Sequence, residues 1–273
     1  MINRQLTIII NTFNSSDKIF SCLDSISSKY KVLVIENSND KSFKTKLEKK
    51  YKNVKCYLTK QNLGYAKGNN FGLKLVKTKY ALVLNPDTVL TKNSLKNFFV
   101  FTKKIKDFSI VGPRDKLNKK NSYEVDSVKG FAMFLNMKDF FKLGFFDENF
   151  FIYCEEIDLC RRVKKINKKI FIDPSIIINH IGGSSHNKNI NFEMELSRNW
   201  HWMWSQFYYN KKYRGYLFSL LIFFPKLLTS GLKTVLYFIL LKKIKSQIYF
   251  NRFLGLLNSI IGKKSYYRPR ILA

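Results

Sequence analysis

Four short apolar runs, spaced by helix-length stretches, constrain this chain more than any other feature. They are Leu6–Asn11 (LTIIIN), Lys31–Glu36 (KVLVIE), Val54–Leu58 (VKCYL) and Tyr80–Leu84 (YALVL). The runs read as strands, Leu6–Asn11 as a fully buried one, and the stretches between them as helices, the pattern of a parallel sheet. Ser15, Ser16 and Asp17 offer N-caps to a first helix carrying Ile19, Phe20, Leu23 and Ile26, and a second helix is expected from about Ser42 to Tyr51. A glycine-punctuated loop, Asn62 to Gly72, leads into a short helix before the fourth strand. The predicted class is α/β, a nucleotide-binding half in outline. Ligands of such sheets gather at the carboxyl ends of the strands, where the polar groups after strands one, two and four fall.

The next hundred residues are less regular. Lys116 to Asn121 reads as an exposed loop, Asp126 to Asn136 as a strand region around Gly130, and Met137 to Leu143 as a short helix. An aromatic, acidic stretch follows, GFFDENFFIYCEEIDLCRR, and then two strands, Lys169 to Asp173 and Ser175 to His180. With no repeat and no break before about residue 190, the expected domains are 1–190 and a helical region 191–273.

The formal charge of +30 invites a nucleic-acid reading, but the cations are 40 Lys and only 9 Arg, whereas base and phosphate readout favours the Arg fork. The distribution is more telling than the sum. From Leu196 onward there is no Asp or Glu, and the 14 cations there leave +16 for the first 195 residues. Cys22, Cys56, Cys154 and Cys160 form no CxxC pair, and nothing at the N-terminus resembles a signal peptide, so a reducing cytoplasm is expected.

Three constellations carry chemistry. Asn85-Pro86-Asp87 ends the fourth strand, and a carboxylate there can hold a hard divalent cation; an ordinary turn explains the same residues. Glu155, Glu156 and Asp158 open a helix, where acids suit the macrodipole and Asp158 can pair with Arg161 or Arg162. Crowded carboxylates beside an aromatic run also suit general-base work. His180 ends the run IIINH before Ile181-Gly182-Gly183-Ser184-Ser185; it is a metal ligand beside Asp87 or a surface residue. His186 lies in the loop beyond, and His201, among Trp200, Trp202 and Trp204, fits helix packing.

The ordered series LTIIINTFN, VLVIENSND, QNLGYAKGNNFGL, ALVLNPDT, KGFAMFLNMKDFFKLGFFDENFFIYCEEIDLCRR and IFIDPSIIINHIGGSS resembles the family 2 glycosyltransferases, in particular their bacterial rhamnosyltransferase-like branch, over roughly residues 5–186. The resemblance implies a GT-A fold with a mixed Rossmann-like sheet, a nucleotide-sugar donor (dTDP-rhamnose-like or a UDP-sugar), a divalent metal (Mg or Mn) and inversion by direct displacement. It further implies that Thr12, Asn14, Glu36 and Asn37 face the donor nucleotide, that Asn62, Gly64, Gly68 and Asn69 line its pocket, and that Asn85 begins the acidic element whose Asp87 binds metal with His180. Glu156 falls on the family's catalytic base, where the usual residue is Asp, and Glu155 competes for the role. An inactive homologue serving as a scaffold stays open on that departure.

After Asn191 the pattern turns helical, and Leu217 to Leu241 is largely apolar, with Pro225 suiting a first turn. Lys226, Ser230, Lys233 and Tyr237 fall near one face, away from Leu228, Leu232, Val235, Leu236 and Ile239. Three readings fit: a soluble helical subdomain, a span, and an amphipathic helix in the interface of an anionic membrane, which costs less than spanning. The combined expectation is a peripheral or monotopic enzyme on the cytoplasmic face of the inner membrane, with a lipid-linked glycan acceptor and no nucleic-acid partner.

Overall fold

The structure, a computed structural model, describes residues 5–16, 18–117, 119–180 and 190–269, which form two compact units. The first takes in residues up to 147 and those from 156 to the last strand; the second takes in residues 148–155 and 190–269.

The first unit is built on a mixed sheet. Its parallel half is β1 (Leu6–Thr12), β2 (Lys31–Glu36), β3 (Val54–Leu58) and β4 (Tyr80–Leu84), in the order β3-β2-β1-β4. Ile8, Ile9 and Ile10 are all closed to solvent, which is why the run shows no polar alternation. Among the described residues α1 (Ile19–Asp24) has no side-chain cap at Lys18; the Ser15 carbonyl accepts the N–H groups of Lys18 and Ile19, and the Ser15 hydroxyl bonds Phe13. Asp17 lies outside the described residues, and Ile26 is buried just beyond the end of the helix. α2 (Lys41–Lys50) is capped by Asp40, which accepts the Phe43 N–H at 2.9 Å.

The expected loop from Asn62 to Gly72 is instead most of a helix, α3 (Gly64–Lys74). Glycine costs about 1 kcal/mol in a helix interior, and here the reason for it is steric. A Cβ on Gly68 would lie 2.3 Å from Asn11 Oδ1, and one on Gly72 would lie 2.5 Å from Ile9 Cγ2. The glycines therefore let α3 lie directly on β1, and Asn62 accepts the Gly64 N–H at its start.

Beyond β4 come β5 (Thr88–Leu90), α4 (Ser94–Lys104), β6 (Ile110–Gly112), β7 (Tyr123–Glu124), β8 (Ala132–Asn136), α5 (Met137–Leu143), α6 (Glu155–Lys165), β9 (Ile170–Ile172) and β10 (Ile178–His180). β8 enters antiparallel to β4 and the large sheet runs β3-β2-β1-β4-β8-β6-β9-β7. β6 is antiparallel to β8 and parallel to β9, so the carboxyl ends of β1, β2, β4, β6 and β9 share one edge. β5 and β10 form a separate antiparallel pair that sets His180 opposite Thr88.

The second unit holds α7 (Asn191–Arg214), α8 (Tyr216–Ile239) and α9 (Lys243–Ile260). Pro225, expected in a first turn, lies inside α8. Met203, Phe207, Phe223 and Leu256 make a small apolar core, with Leu227 and Ile260 packed against it. Ser246 donates to the Thr234 carbonyl, Ser259 donates to the Trp204 carbonyl, and a Cβ on Gly255 would lie 2.1 Å from the Trp200 carbonyl oxygen. His201 is sealed, bonded to the Tyr267 carbonyl and the Ser265 hydroxyl and stacked on Phe151, and burial pushes its pKa down to about 3. Its role is packing. The face of α8 bearing Ser219, Phe223 and Ser230 is buried, while Leu221, Leu232 and Phe238 are each more than 70% exposed.

Candidate active site

The chain leaves β4 through Asn85-Pro86-Asp87, held in place because Asn85 donates its N–H to the Phe131 carbonyl and accepts the Thr88 N–H and hydroxyl. Asp87 is buried, 3% exposed, and its Oδ1 lies 3.4 Å from His180 Nε2. That separation exceeds a good hydrogen bond, and among the described residues Oδ1 has no donor. A buried carboxylate oxygen without a donor, facing an imidazole nitrogen, is the donor set a divalent cation fits. Among the described residues no three of His, Cys, Asp and Glu gather as a metal group, so a cation held here would take its remaining ligands from the substrate and water. Cys22 is close to Thr88, but burial pushes its pKa up to about 12, so it stays a neutral thiol.

Phe131 stacks on the His180 ring with centroids 4.6 Å apart. Its neighbour Gly130 accepts the Tyr65 hydroxyl, and a Cβ there would lie 3.6 Å from Glu156 Cβ. Two consecutive residues thus join the Asp87–His180 pair to the start of α6. Tyr153 and Cys154, just before that helix, both have positive φ (73° and 67°), a conformation costing roughly 1–3 kcal/mol at a non-glycine residue and concentrated at functional sites. The two α6 acids then separate by exposure: Glu155 is 4% exposed and Glu156 half-buried, which leaves Glu156 the more able to reach a substrate. Burial raises the Glu156 pKa above the ordinary carboxylate value, opposed by backbone hydrogen bonds at the helix start. Asp158 is structural: it pairs with Arg162 Nε at 2.8 Å, and that guanidinium also donates to the carbonyls of Leu143 and Phe145.

The residues expected to meet the donor lie at the carboxyl ends of β1 and β2. Thr12 donates to Glu36 Oε2 at 2.6 Å, and Ser38 N–H donates to Glu36 Oε1 at 2.6 Å. Burial raises the Glu36 pKa, against the pull of these bonds. Asn14, in a left-handed conformation (φ 50°), donates its N–H to Ser38, and Asn14, Glu36, Ser38 and Asp40 line one small recess. Asn37 bonds Asn11 and accepts from Thr59 and from the Leu63 N–H. Gly64, Gly68 and Asn69 sit on α3 rather than in a loop; Asn69 is fully buried and donates to the Tyr65 carbonyl. Sequence reasoning missed Asn11, Ser38, Tyr65 and Phe131, and only Phe131 had a signal, its place beside Gly130. His186 lies outside the described residues.

The chain resembles known proteins in sequence and in fold. Residues 7–171 match the family model described as Glycosyl transferase family 2. The low-salt glycan biosynthesis hexosyltransferase Agl10 of Haloferax volcanii is 25% identical over 60% of this chain and 63% of its own length, so the chain spans less than two thirds of that relative. The rhamnosyltransferase WbbL of Escherichia coli is 25% identical over 71% of this chain and 88% of its own. In fold, the mannosyltransferase PcManGT of Pyrobaculum calidifontis, solved with GDP-Man and Mn2+, superposes with a TM-score of 0.62 at 12% identity, over 95% of this chain and 88% of that one. With the family model covering more than half of its residues, the chain belongs to glycosyl transferase family 2 and is rhamnosyltransferase-like.

Proposed function

We propose that this protein is a metal-dependent, inverting glycosyltransferase that moves a sugar from a nucleotide-sugar donor to a hydroxyl of a lipid-linked surface glycan. The observation that carries the reading is the buried Asp87 carboxylate facing His180 at the carboxyl edge of the sheet. Asp87 and His180 would hold the divalent cation, which when bound neutralises charge on the departing diphosphate. Glu36, held by Thr12 and Ser38, orients the donor nucleotide together with Asn14. Glu156 takes the proton of the acceptor hydroxyl as that oxygen attacks the anomeric carbon; the bond to the diphosphate oxygen breaks on the opposite face and its electron pair leaves with the nucleotide. One displacement inverts the centre. Residues 1–190 would form the catalytic domain and 191–273 the helical appendage.

The reading is tested by incubating dTDP-, UDP- and GDP-sugars with the protein and Mn2+ or Mg2+. One donor class is expected to release its nucleoside diphosphate, and EDTA is expected to stop the release. Absence of metal-dependent release from every donor would overturn the assignment.

The appendage supports a place on the cytoplasmic face of a membrane. α8 buries only Ser219, Phe223 and Ser230 and leaves large apolar side chains such as Leu221, Leu232 and Phe238 exposed, more apolar surface than a soluble helix turns to water. The turn to α9 carries Lys242, Lys243 and Lys245 beside Leu241 and Ile244, and each lysine near an anionic surface contributes about 1 kcal/mol. Sedimentation with phosphatidylglycerol vesicles is expected to exceed that with phosphatidylcholine vesicles at least tenfold, and Leu221→Glu with Leu232→Glu is expected to abolish it. Equal binding to both lipids would rule out the anionic surface.

A further inference from the structure

Beside the Asp87–His180 pair lies a cavity of about 320 Å³ that the proposed reaction does not use. Its size is at the low end of the roughly 300–1,000 Å³ typical of small-molecule sites. Gly112 and Ile172, the last residues of β6 and β9, both line it, so it opens at the same carboxyl edge as the candidate donor site. His180 and Phe131 form its wall toward that site, and Asp87 is not part of its lining.

Its charge is lopsided. Arg114, Lys116 and Lys129 line it against a single carboxylate, Asp115, whose Oδ1 already accepts the Leu117 N–H at 2.9 Å. Neither Lys116 nor Lys129 has a carboxylate within ion-pair distance among the described residues. Arg114 is held at both ends: its backbone N–H donates to the Ile176 carbonyl at 2.8 Å and its Nε to the Pro174 carbonyl at 2.7 Å. A fork fixed through Nε keeps its two terminal nitrogens for a ligand, and a planar pair of N–H donors with two ammonium groups nearby matches the oxygens of a phosphoryl group.

We propose that this cavity binds a phosphoryl group carried by the acceptor. The inference rests on the assignment of Asp87 and His180 to the donor diphosphate, because that assignment leaves the second cationic surface for the other substrate. His180, shared by both sites, is where the two substrates come together, and the cations of the cavity offset the repulsion between their phosphates. The acceptor is then a phosphate ester with its phosphoryl group close to the accepting hydroxyl, borne either on a lipid or on a soluble chain.

The test is equilibrium binding of inorganic phosphate and of dodecyl phosphate below its micelle concentration, to the full-length protein in Mg2+ with a saturating mixture of UDP, GDP and dTDP. Both probes are expected to bind, about tenfold or more weakly in Lys116→Gln/Lys129→Gln, and several-fold more weakly in Arg114→Lys, which keeps the charge and loses the fork. The two lysines are exposed, so an unchanged thermal unfolding curve is expected and confirms that the variant is folded. Dodecyl phosphate binding at least tenfold tighter than phosphate assigns the group to a lipid; equal binding assigns it to a soluble phosphate ester. Binding that ignores all three substitutions would place the anion elsewhere on a chain of charge +30 and overturn the proposal. Displacement by the nucleoside diphosphates would return the cavity to the donor and overturn it too. Since no turnover is read, a failure of donor hydrolysis would strike the proposed activity and leave this binding result standing.

Discussion

Asp87→Ala is expected to lower metal-dependent transfer by about 10²–10³-fold without lowering thermal stability in EDTA. The first half follows from charge: a cation on the diphosphate stabilises the transition state by several kcal/mol, and each 1.36 kcal/mol is tenfold in rate. The second half follows from burial. Asp87 is 3% exposed and its Oδ1 has no hydrogen-bond donor among the described residues, an arrangement costing about 1–3 kcal/mol in a protein that holds no cation. Alanine removes that cost, so the apo variant unfolds no earlier than the apo wild type, and the stabilisation that Mn2+ gives the wild type disappears. Donor turnover and thermal unfolding, each with Mn2+ and with EDTA, read both halves. A wild-type rate in the variant would remove Asp87 from the site.

The parallel half of the sheet was legible because β1, β2 and β4 are closed on both faces over nearly their whole length and β3 alternates only at its edge. β2, β3 and β4 fall where their apolar runs do, and β1 adds only Thr12. Three features were not legible, for different reasons. β6 and β7 have three residues and two, too few for any period to show, and α4 is built on NFFVF, whose aromatic and β-branched side chains favour strands. α3 hid behind Gly64, Gly68 and Gly72, which read as a loop; Gly64 has a positive φ of 75°, and Gly68 and Gly72 leave no room for a Cβ against β1. The Asp87–His180 pair, by contrast, was expected from the sequence, and the pairing of β10 with β5 brings the two side chains within 3.4 Å. Of the lysine-bearing face expected on α8, Ser230 is buried and Lys233 and Tyr237 are half-buried, while Lys226 is exposed.

Small residues at helix crossings let backbones approach closely, and the 2.1 Å separation a Gly255 Cβ would have from the Trp200 carbonyl shows how little slack α7 and α9 leave. The helices hold together through the Phe223 core and the serine hydrogen bonds, so charges placed on the outer face, as at Leu221 and Leu232, are expected to leave their packing intact.

Glu156→Gln is expected to slow transfer by about 10²–10⁴-fold, the usual contribution of a positioned general base, with little change in KM for the donor. Gln keeps the shape of the half-buried side chain and cannot take a proton. The pH dependence separates a base from a merely structural acid. Burial raises the Glu156 pKa, so wild-type activity falls as pH drops through a value above the ordinary carboxylate range, and the variant's residual rate lacks that limb. Stability moves the other way. A carboxyl whose folded pKa lies above its unfolded value contributes stability that is complete below the unfolded pKa and is lost as pH rises through the folded one. At neutral pH the wild type therefore bears the cost of a buried charge that Gln does not, and the variant is expected to be at least as stable there, with its advantage vanishing once the medium is acid enough to protonate Glu156 in both states. Rate and unfolding measured across pH 4 to 8 give both curves. If the acid limb survives in Glu156→Gln, the base is another group, and Glu155→Gln is the variant in which the limb would then be lost.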